Sequence, residues 1–113
     1  MPFHSWIRND RFKYFNLTVD DPNVTVGIRV TIYSGDVDIY VKADQRPTQD
    51  DFHFASYFYG NETFTISPGS REDIGFPTGN YVIGIWGLER STFILTASVN
   101  EHSIVPLISD IPL

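Results

Sequence analysis

The chain has 113 residues and a formal net charge of -6, with 42% hydrophobic and 19% charged residues. This length allows one domain, and the composition is that of a globular protein rather than a disordered one. The eight lysine and arginine residues are scattered singly, which disfavours nucleic acid and an anionic membrane surface as partners. No apolar run is long enough to predict membrane insertion. The absence of cysteine excludes disulfides, thiolate metal sites and a cysteine nucleophile.

Residues 1–11 mix tryptophan and isoleucine with polar side chains and predict a lead-in segment to a sandwich domain over residues 12–100. Alternation of apolar and other residues begins at Phe12 and continues through two strands, which a turn at residues 20–23 separates. One face of these strands is apolar, which predicts antiparallel sheets with one face in the core and the other exposed to solvent. The predicted core residues of the two strands are Phe15, Leu17, Val19, Val24, Val26, Ile28, Val30 and Ile32.

A turn and a further strand follow at residues 34–41, with the sequence Ser-Gly-Asp-Val-Asp-Ile-Tyr-Val. Its alternate apolar residues predict a half-buried strand. Asp36 and Asp38 stand two residues apart where this strand begins, although aspartate is depleted in strands. Turn amides, a cation or water must therefore satisfy the two carboxylates.

The second half of the chain predicts four more short strands, at residues 54–59, 62–67, 81–86 and 92–99, and no helix. Gly60 and Asn61 predict a tight hairpin turn between the first two. Residues 68–78 are rich in glycine and proline and are predicted to be irregular, and residues 101–113 predict a C-terminal linker or edge segment broken by two prolines. Seven or eight short strands at this spacing are typical of an all-β sandwich.

Residues 35–41, Gly-Asp-Val-Asp-Ile-Tyr-Val, resemble the signature strand of the bacterial pre-peptidase C-terminal (PPC) domain family, whose members are appended to secreted proteases and collagenases. The likeness extends in order over most of the chain, through Pro47-Thr48, Ser56, Glu62, residues 77–83, Gly87 and residues 93–96. The resemblance implies an antiparallel, jelly-roll-like β-sandwich that acts as a binding, secretion or folding module. Some collagen-binding members hold calcium in an acidic N-terminal linker. Only Asp10 precedes the first predicted strand here, so that site is not carried over.

Two kinds of binding site are candidates. Asp36 and Asp38 have the oxygen ligands that calcium prefers, although they equally suit hydrogen bonds to turn amides. Asp50, Asp51 and Glu62 would complete a cation site only if the fold brings them close.

Aromatic side chains on outward sheet faces form the second candidate. Tyr40 and Trp86, together with Val82 and Ile94, fall on faces predicted to point outward, and Tyr57 and Tyr59 share a face. Such a stripe suits sugar rings, a peptide or collagen. The alternative is that a neighbouring segment or domain covers it.

The sequence favours no catalytic centre. Fourteen acids offer carboxylate pairs by chance, and neither a Gly-x-Ser-x-Gly nor a His-Glu-x-x-His motif occurs. The three histidines, His4, His53 and His102, are predicted surface residues. Three sequons, at Asn16, Asn23 and Asn61, exceed the roughly one expected by chance and indicate a glycoprotein of the eukaryotic secretory route.

These observations predict a non-catalytic, extracellular or cell-surface binding or accessory module of a larger secreted protein. It would contact neighbouring domains and an extracellular protein or polysaccharide. One alternative is a calcium-assisted, lectin-like carbohydrate-binding module that uses Asp36 and Asp38. Another is a structural repeat unit of an extracellular fibre or coat.

Overall fold

The computed structural model describes residues 3–57, 59–100, 103–105 and 107–110, and these form ten strands and one short helix. The strands are β1 (Phe3–Ile7), β2 (Phe12–Val19), β3 (Val26–Ser34), β4 (Val37–Ala43), β5 (Phe54–Ser56), β6 (Glu62–Ile66), β7 (Gly79–Gly87), β8 (Ser91–Val99), β9 (Ser103–Val105) and β10 (Ile108–Asp110). The helix, α1, spans Pro68–Asp73.

The strands form two antiparallel sheets in jelly-roll order. One sheet runs β1-β8-β3-β6 and the other β2-β7-β4-β5, with β9 added beside β8 and β10 beside β2. Strand β1 therefore pairs with β8, β2 with β7, β3 with β6 and β4 with β5. This is one long hairpin, rolled up so that β3 also pairs with β8 and β4 with β7. The predicted antiparallel, jelly-roll-like β-sandwich is confirmed.

The described residues near both ends of the chain contribute strands to this sandwich. The segment 1–11, predicted as a lead-in, contributes β1, the first strand of the roll, which pairs with residues 91–95 of β8. Within 101–113, predicted as a linker or edge segment, β9 and β10 pair with edges of the two sheets, while residues 101–102, 106 and 111–113 lie outside the described part. The first half of the strand predicted at 54–59 forms β5, which ends at Ser56.

The core lies between the sheets and is filled by the alternating apolar residues. The predicted inward rows are confirmed, because Phe15, Leu17, Val26, Ile28, Val30, Ile39, Ile83, Ile85, Phe93 and Leu95 are all buried. Ile32 and Phe64 are partly buried and pack against this cluster. Burial of these rows is the main favourable contribution to folding.

The prediction that the chain contains no helix is wrong, because residues 68–73 form α1. Ser67 caps this helix by accepting a hydrogen bond from the Ser70 amide, and Pro68 occupies the first turn, where its missing N–H costs nothing. The helix carries Arg71, whose side chain is fully buried and donates to the carbonyls of Ile66, Pro77, Asp21 and Pro22. Arg71 thus ties the β2–β3 connection to the β6–β7 connection at one end of the sandwich.

The hairpin predicted at Gly60 and Asn61 is also wrong. Gly60 has the positive φ that suits such a turn, but β5 pairs with β4 and β6 pairs with β3, so the connection crosses from one sheet to the other.

At the opposite end from α1, the connections that cross between the sheets are locked to each other. The buried Ser91 hydroxyl accepts from the Asp36 amide at 2.9 Å. Its one proton is shared between the Glu89 carbonyl, at 2.8 Å, and the Asp36 carbonyl, at 3.0 Å. The Leu88 amide also donates to the Asp36 carbonyl, at 3.1 Å. Gly35 has a φ of 85°, and a β-carbon there would lie 2.4 Å from the Arg90 carbonyl oxygen. Only glycine allows this approach.

Substitution of Gly35 tests this packing. Gly35→Ala and Gly75→Ala both place alanine at a positive φ, but a β-carbon at Gly75 meets nothing within 4 Å. We expect Gly75→Ala to cost about 1 kcal/mol of unfolding free energy, from backbone conformation alone. Gly35→Ala should cost at least about 3 kcal/mol more or prevent folding, because backbone atoms must move. Urea denaturation of both variants measures the difference, and equal losses would contradict the proposed interlock.

Candidate functional site

One end of the sandwich collects most of the exposed large hydrophobic side chains. We call it the aromatic end; it comprises the connections at residues 8–11, 35–36, 57–61 and 88–90 with the strand ends that they join, apart from residue 58, which is not described. Of the six large hydrophobic side chains that are exposed in the described chain, five lie at this end, namely Trp6, Tyr33, Tyr57, Tyr59 and Leu88. The sixth, Phe76, lies at the opposite end near α1. A clustered apolar surface of this kind is typical of a binding site.

The outer face of the sheet β2-β7-β4-β5 carries a second aromatic cluster, which a loop of the same chain partly covers. Residues 44–53 cross this face, and Pro47 lies over Gly84, where a β-carbon would come within 2.9 Å of Pro47 Cγ. The Tyr14 hydroxyl donates to the Pro47 carbonyl at 2.9 Å. Tyr40, predicted as an exposed ligand residue, is consequently buried, as is Val82. At the centre of this face, a loop of the same chain therefore covers the side chains that were predicted to point outward.

The aromatic side chains nearest the aromatic end remain accessible and rest on this buried cluster. The Tyr57 ring is 57% exposed and packs edge-on against Tyr40, with 5.6 Å between the ring centroids. Tyr40 is held in turn by Phe52, at 5.3 Å. Trp86 is half-buried and packs against Phe12, at 4.8 Å. Rigid aromatic side chains lose little conformational entropy on binding, so this arrangement is favourable for ligand contact.

Tyr59 lies in the same connection as Tyr57 and is 82% exposed, the most exposed large hydrophobic residue described. Three of the four predicted ligand residues, Tyr57, Tyr59 and Trp86, are therefore available at the surface. The fourth, Tyr40, supports them from beneath.

Asp38 lies between the accessible aromatic residues. It pairs in register with Trp86, and its neighbour Ile39 pairs with Ser56, which immediately precedes Tyr57. Asp38 is only 8% exposed, and burial raises the pKa of its carboxyl group, with a further contribution from the charge of Asp36. The two predicted calcium ligands are therefore close enough to repel each other.

Asp36 is held by its backbone through Ser91, as the prediction of turn hydrogen bonds requires, but its carboxylate is not used in this contact. Its Oδ1 atom is buried and makes no hydrogen bond with any described residue. A carboxylate oxygen without a partner is costly in a protein interior.

Glu62 is the third acid of this group and the most deeply buried. It begins β6, points between the sheets and is 2% exposed. The Ser56 hydroxyl donates to its Oε2 at 2.6 Å, while its Oε1 has no partner. Burial raises the pKa of Glu62 to about 7, with smaller contributions from the charges of Asp38 and Asp36, although the Ser56 hydrogen bond lowers it.

The remaining acids named as possible cation ligands lie elsewhere. Asp51 forms an ion pair with Lys42 at 2.6 Å, in the loop that covers the sheet, and Asp50 precedes it. Among the described residues, no group of three or more His, Asp or Glu side chains is arranged to hold a metal ion. His53 has a structural contact, since its Nδ1 accepts from the Ala43 amide. His102 and the side chain of His4 lie outside the described part.

The three sequon asparagines occupy different surroundings. Asn23 is exposed in the turn between β2 and β3. Asn61 is exposed too, but its Oδ1 accepts from the Ile32 amide at 2.7 Å. Asn16 is half-buried on the outer sheet face and accepts from Asn80 at 3.1 Å. Glycosylation at all three stays a prediction, and Asn23 is the most accessible acceptor.

The fold gathers basic residues that are dispersed in the sequence. Arg8, Arg11 and Lys13 line a cavity with Trp6, and the guanidinium of Arg90 lies 5.4 Å from the Trp6 ring centroid. Half of the eight basic residues thus surround one indole, so the expectation of scattered single charges does not hold at this surface. No sequence signal predicted it, because the strand pairing that joins these positions is long-range.

No family model matches the chain, and no curated protein matches it. The resemblance to the PPC family therefore rests on the residues named above, of which Ser56 and Glu62 are hydrogen-bonded to each other. In the described part of the chain, no helix has the length and apolar character needed to cross a membrane.

Glu62 predicts a pH dependence of stability. Its pKa is about 7 in the folded chain against an ordinary value of 4.5, so the folded state holds a proton that the unfolded state releases first. The contribution of Glu62 to the free energy of unfolding is therefore greatest below pH 4.5, and it falls as the pH rises towards 7. The loss is up to about 3 kcal/mol, since one pKa unit corresponds to about 1.4 kcal/mol.

Chemical denaturation of wild type and Glu62→Gln across this pH range measures the effect. Glutamine keeps an acceptor for Ser56 and cannot ionise, so the variant should lose most of the slope, and the remainder belongs to Asp38, whose pKa is also raised. Glu72→Gln, at an exposed position in α1, is the matched control and should behave as wild type. An unchanged slope in Glu62→Gln would show that this carboxyl group ionises normally.

Proposed function

We propose that this domain is a non-catalytic, extracellular binding module of a larger secreted or surface protein, and that it contacts its ligand through the aromatic end. The observation that supports this most directly is the distribution of exposed apolar side chains, five of six at one end. The interior offers no comparable site, because the inward rows of both sheets pack against each other. An extracellular protein or polysaccharide suits a surface of this kind, since both present extended apolar and hydroxyl-bearing faces.

The chemistry of the accessible residues supports the same proposal. Tyrosine and tryptophan combine an apolar ring with a polar atom, and both residue types are enriched where proteins bind ligands. Tyr57 and Trp86 lie on either side of the Asp38 position, so two rings and one hydrogen-bond acceptor face the same region. Sugar rings and collagen-like peptides can use both features.

The PPC resemblance and the sequons support an extracellular location. The resemblance implies a module attached to a secreted enzyme, and Asn23 is accessible for a glycan. Neither feature names the ligand.

A calcium-assisted, lectin-like module is the second candidate, and one observation favours it. Asp38 is desolvated beside Asp36, whose buried Oδ1 has no partner, and a bound cation would relieve both costs. Calcium dependence separates this candidate from the first.

Binding of the domain to glycan and collagen arrays tests the proposal. Removal of two exposed rings in Tyr57→Ala/Tyr59→Ala should weaken binding about 10-fold or more, as truncation of interface tyrosines commonly does. Phe76→Ala removes an exposed ring at the opposite end and should leave binding unchanged, which makes it the matched control.

The arrays are probed with added calcium and with a chelator. Binding that is lost on chelation, and in Asp38→Asn, would favour the lectin-like candidate. Equal losses in the Phe76 and the Tyr57/Tyr59 variants would show that the aromatic end is not the binding surface. Absence of any binding, with concentration-dependent self-association instead, would favour a structural unit of a fibre or coat.

A further inference from the structure

The aromatic end has a basic side as well as the acidic side described above. An open groove lies between the end of β1 and the start of β2, with a volume of about 290 Å³. We call it the cationic groove; it is lined by Trp6, Ile7, Arg8, Arg11, Phe12 and Lys13. Ile7 is buried and Phe12 is half-buried, so the floor is apolar, while Trp6 is 48% exposed and forms a wall.

Within the part of the chain that the structure describes, the basic side chains of the cationic groove have no carboxylate partner. Lys13 Nζ donates to the Ser5 hydroxyl and to the Trp6 carbonyl, both at 2.8 Å, and it lies 5.5 Å from the Trp6 ring. Burial lowers the pKa of Lys13, because desolvation disfavours the charged ammonium group. Arg11 donates to the Asp10 backbone carbonyl. Among the described side chains, none of Arg8, Arg11, Lys13 and Arg90 forms an ion pair.

Two exposed acids, Asp10 and Glu89, lie in the connections that contain Arg8, Arg11 and Arg90, next to Lys13 in β2. The local charge is therefore about two positive, on a chain whose net charge is -6. Such a local reversal attracts a small anionic group, because screening limits the opposing charges to about 8 Å in physiological salt.

The groove also runs along strand edges that the described residues leave unpaired. In the described chain β1 is the edge strand of its sheet, and β10 covers β2 only from Tyr14 to Asn16. The carbonyl of Trp6, which accepts from Lys13, faces this open side. Exposed edges of this kind can pair with an added extended strand.

We propose that the cationic groove binds an extended acidic peptide segment. Its backbone lies beside the edge of β1 and pairs with the edge groups that Lys13 leaves unused, its carboxylates contact the guanidinium groups of Arg8 and Arg11, and an apolar side chain between them rests on Ile7 and Phe12. Arginine suits this role because its planar group binds a carboxylate through two parallel hydrogen bonds.

A continuous polyanion fits less well. Nucleic-acid binding commonly uses six to ten phosphate contacts, whereas three cations line this groove and a fourth, Arg90, lies beside Trp6. A long anion would extend over a chain whose net charge is -6. A short peptide with two or three carboxylates contacts only the groove. Its apolar side chain packs on the apolar floor, which a sulfated sugar would not cover. This site goes beyond the proposed function and does not require the tyrosines of the aromatic end.

Fluorescence anisotropy of a labelled Glu-Val-Glu-Leu-Glu peptide tests the proposal, with the matched Gln-Val-Gln-Leu-Gln peptide as the uncharged probe. The acidic peptide should bind at least about 10-fold more tightly, and added salt should weaken this binding. Arg8→Gln/Arg11→Gln should reduce the affinity about 10-fold or more. Arg29→Gln changes an exposed arginine of β3, two strands away from β1 on the same sheet and outside the groove, and should have no effect.

Equal binding of both peptides, or full affinity in Arg8→Gln/Arg11→Gln with intact circular dichroism, would overturn the proposal. So would binding of a sulfated oligosaccharide in place of the peptide, since the groove would then be a polysaccharide site. Peptide binding without any array binding would contradict the proposed function alone, and array binding without peptide binding would contradict only this inference.

Discussion

The buried hydroxyl of Ser91 holds together the two connections on which the rolled-up hairpin depends. One connection carries the chain from β3 to β4 and the other from β7 to β8, and each crosses between the sheets at the same end. Ser91 joins them by accepting from the Asp36 amide and donating to its carbonyl. Gly35 makes the contact possible, because any side chain there would overlap the backbone of the neighbouring connection. The roll is therefore closed by hydrogen bonds at this end, and burial of the core stabilises the rest.

A third connection joins this interlock through Gly87. The Asp10 amide donates to the Gly87 carbonyl at 2.8 Å, and the Gly87 amide donates to the Arg11 carbonyl at 3.0 Å. The connections that contain Arg8, Arg11 and Arg90 are thus hydrogen-bonded to each other and form one surface. A preorganised surface loses less entropy on binding, which links the interlock to both proposed sites.

The sequence predicted the strands wherever one face of a strand is apolar. The row from Val24 to Ile32 was sufficient to place one sheet face in the core, because the side-chain period of a strand is two. The resemblance of residues 35–41 to the PPC signature implied the jelly-roll arrangement that the strand order confirms. Tyr57, Tyr59 and Trp86 could likewise be selected from the sequence, since their exposure follows from position on a strand or loop.

Other features depended on contacts that the sequence does not encode locally. β1 has no long alternating pattern, and only its pairing with β8 makes it a strand. The connection through Gly60 has the residues of a hairpin, but an arch between sheets uses the same residues. Helix α1 is short, and the residues around its start, Ser-Pro-Gly, are also typical of turns. The sequence therefore predicted an irregular segment there, although Ser67 followed by Pro68 is a recognisable helix start. The cationic groove joins positions up to 84 residues apart in the chain, Trp6 and Arg90.

Amide hydrogen exchange measured by NMR tests most directly whether the aromatic end is one rigid surface. The interlock predicts that the amides of Asp10, Asp36, Gly87 and Leu88 exchange with protection close to that of Ile83 and Ile85 in the core strand β7. Exchange of these four amides at the rate of unprotected loops, while Ile83 and Ile85 stay protected, would show that the connections open independently and would contradict the account.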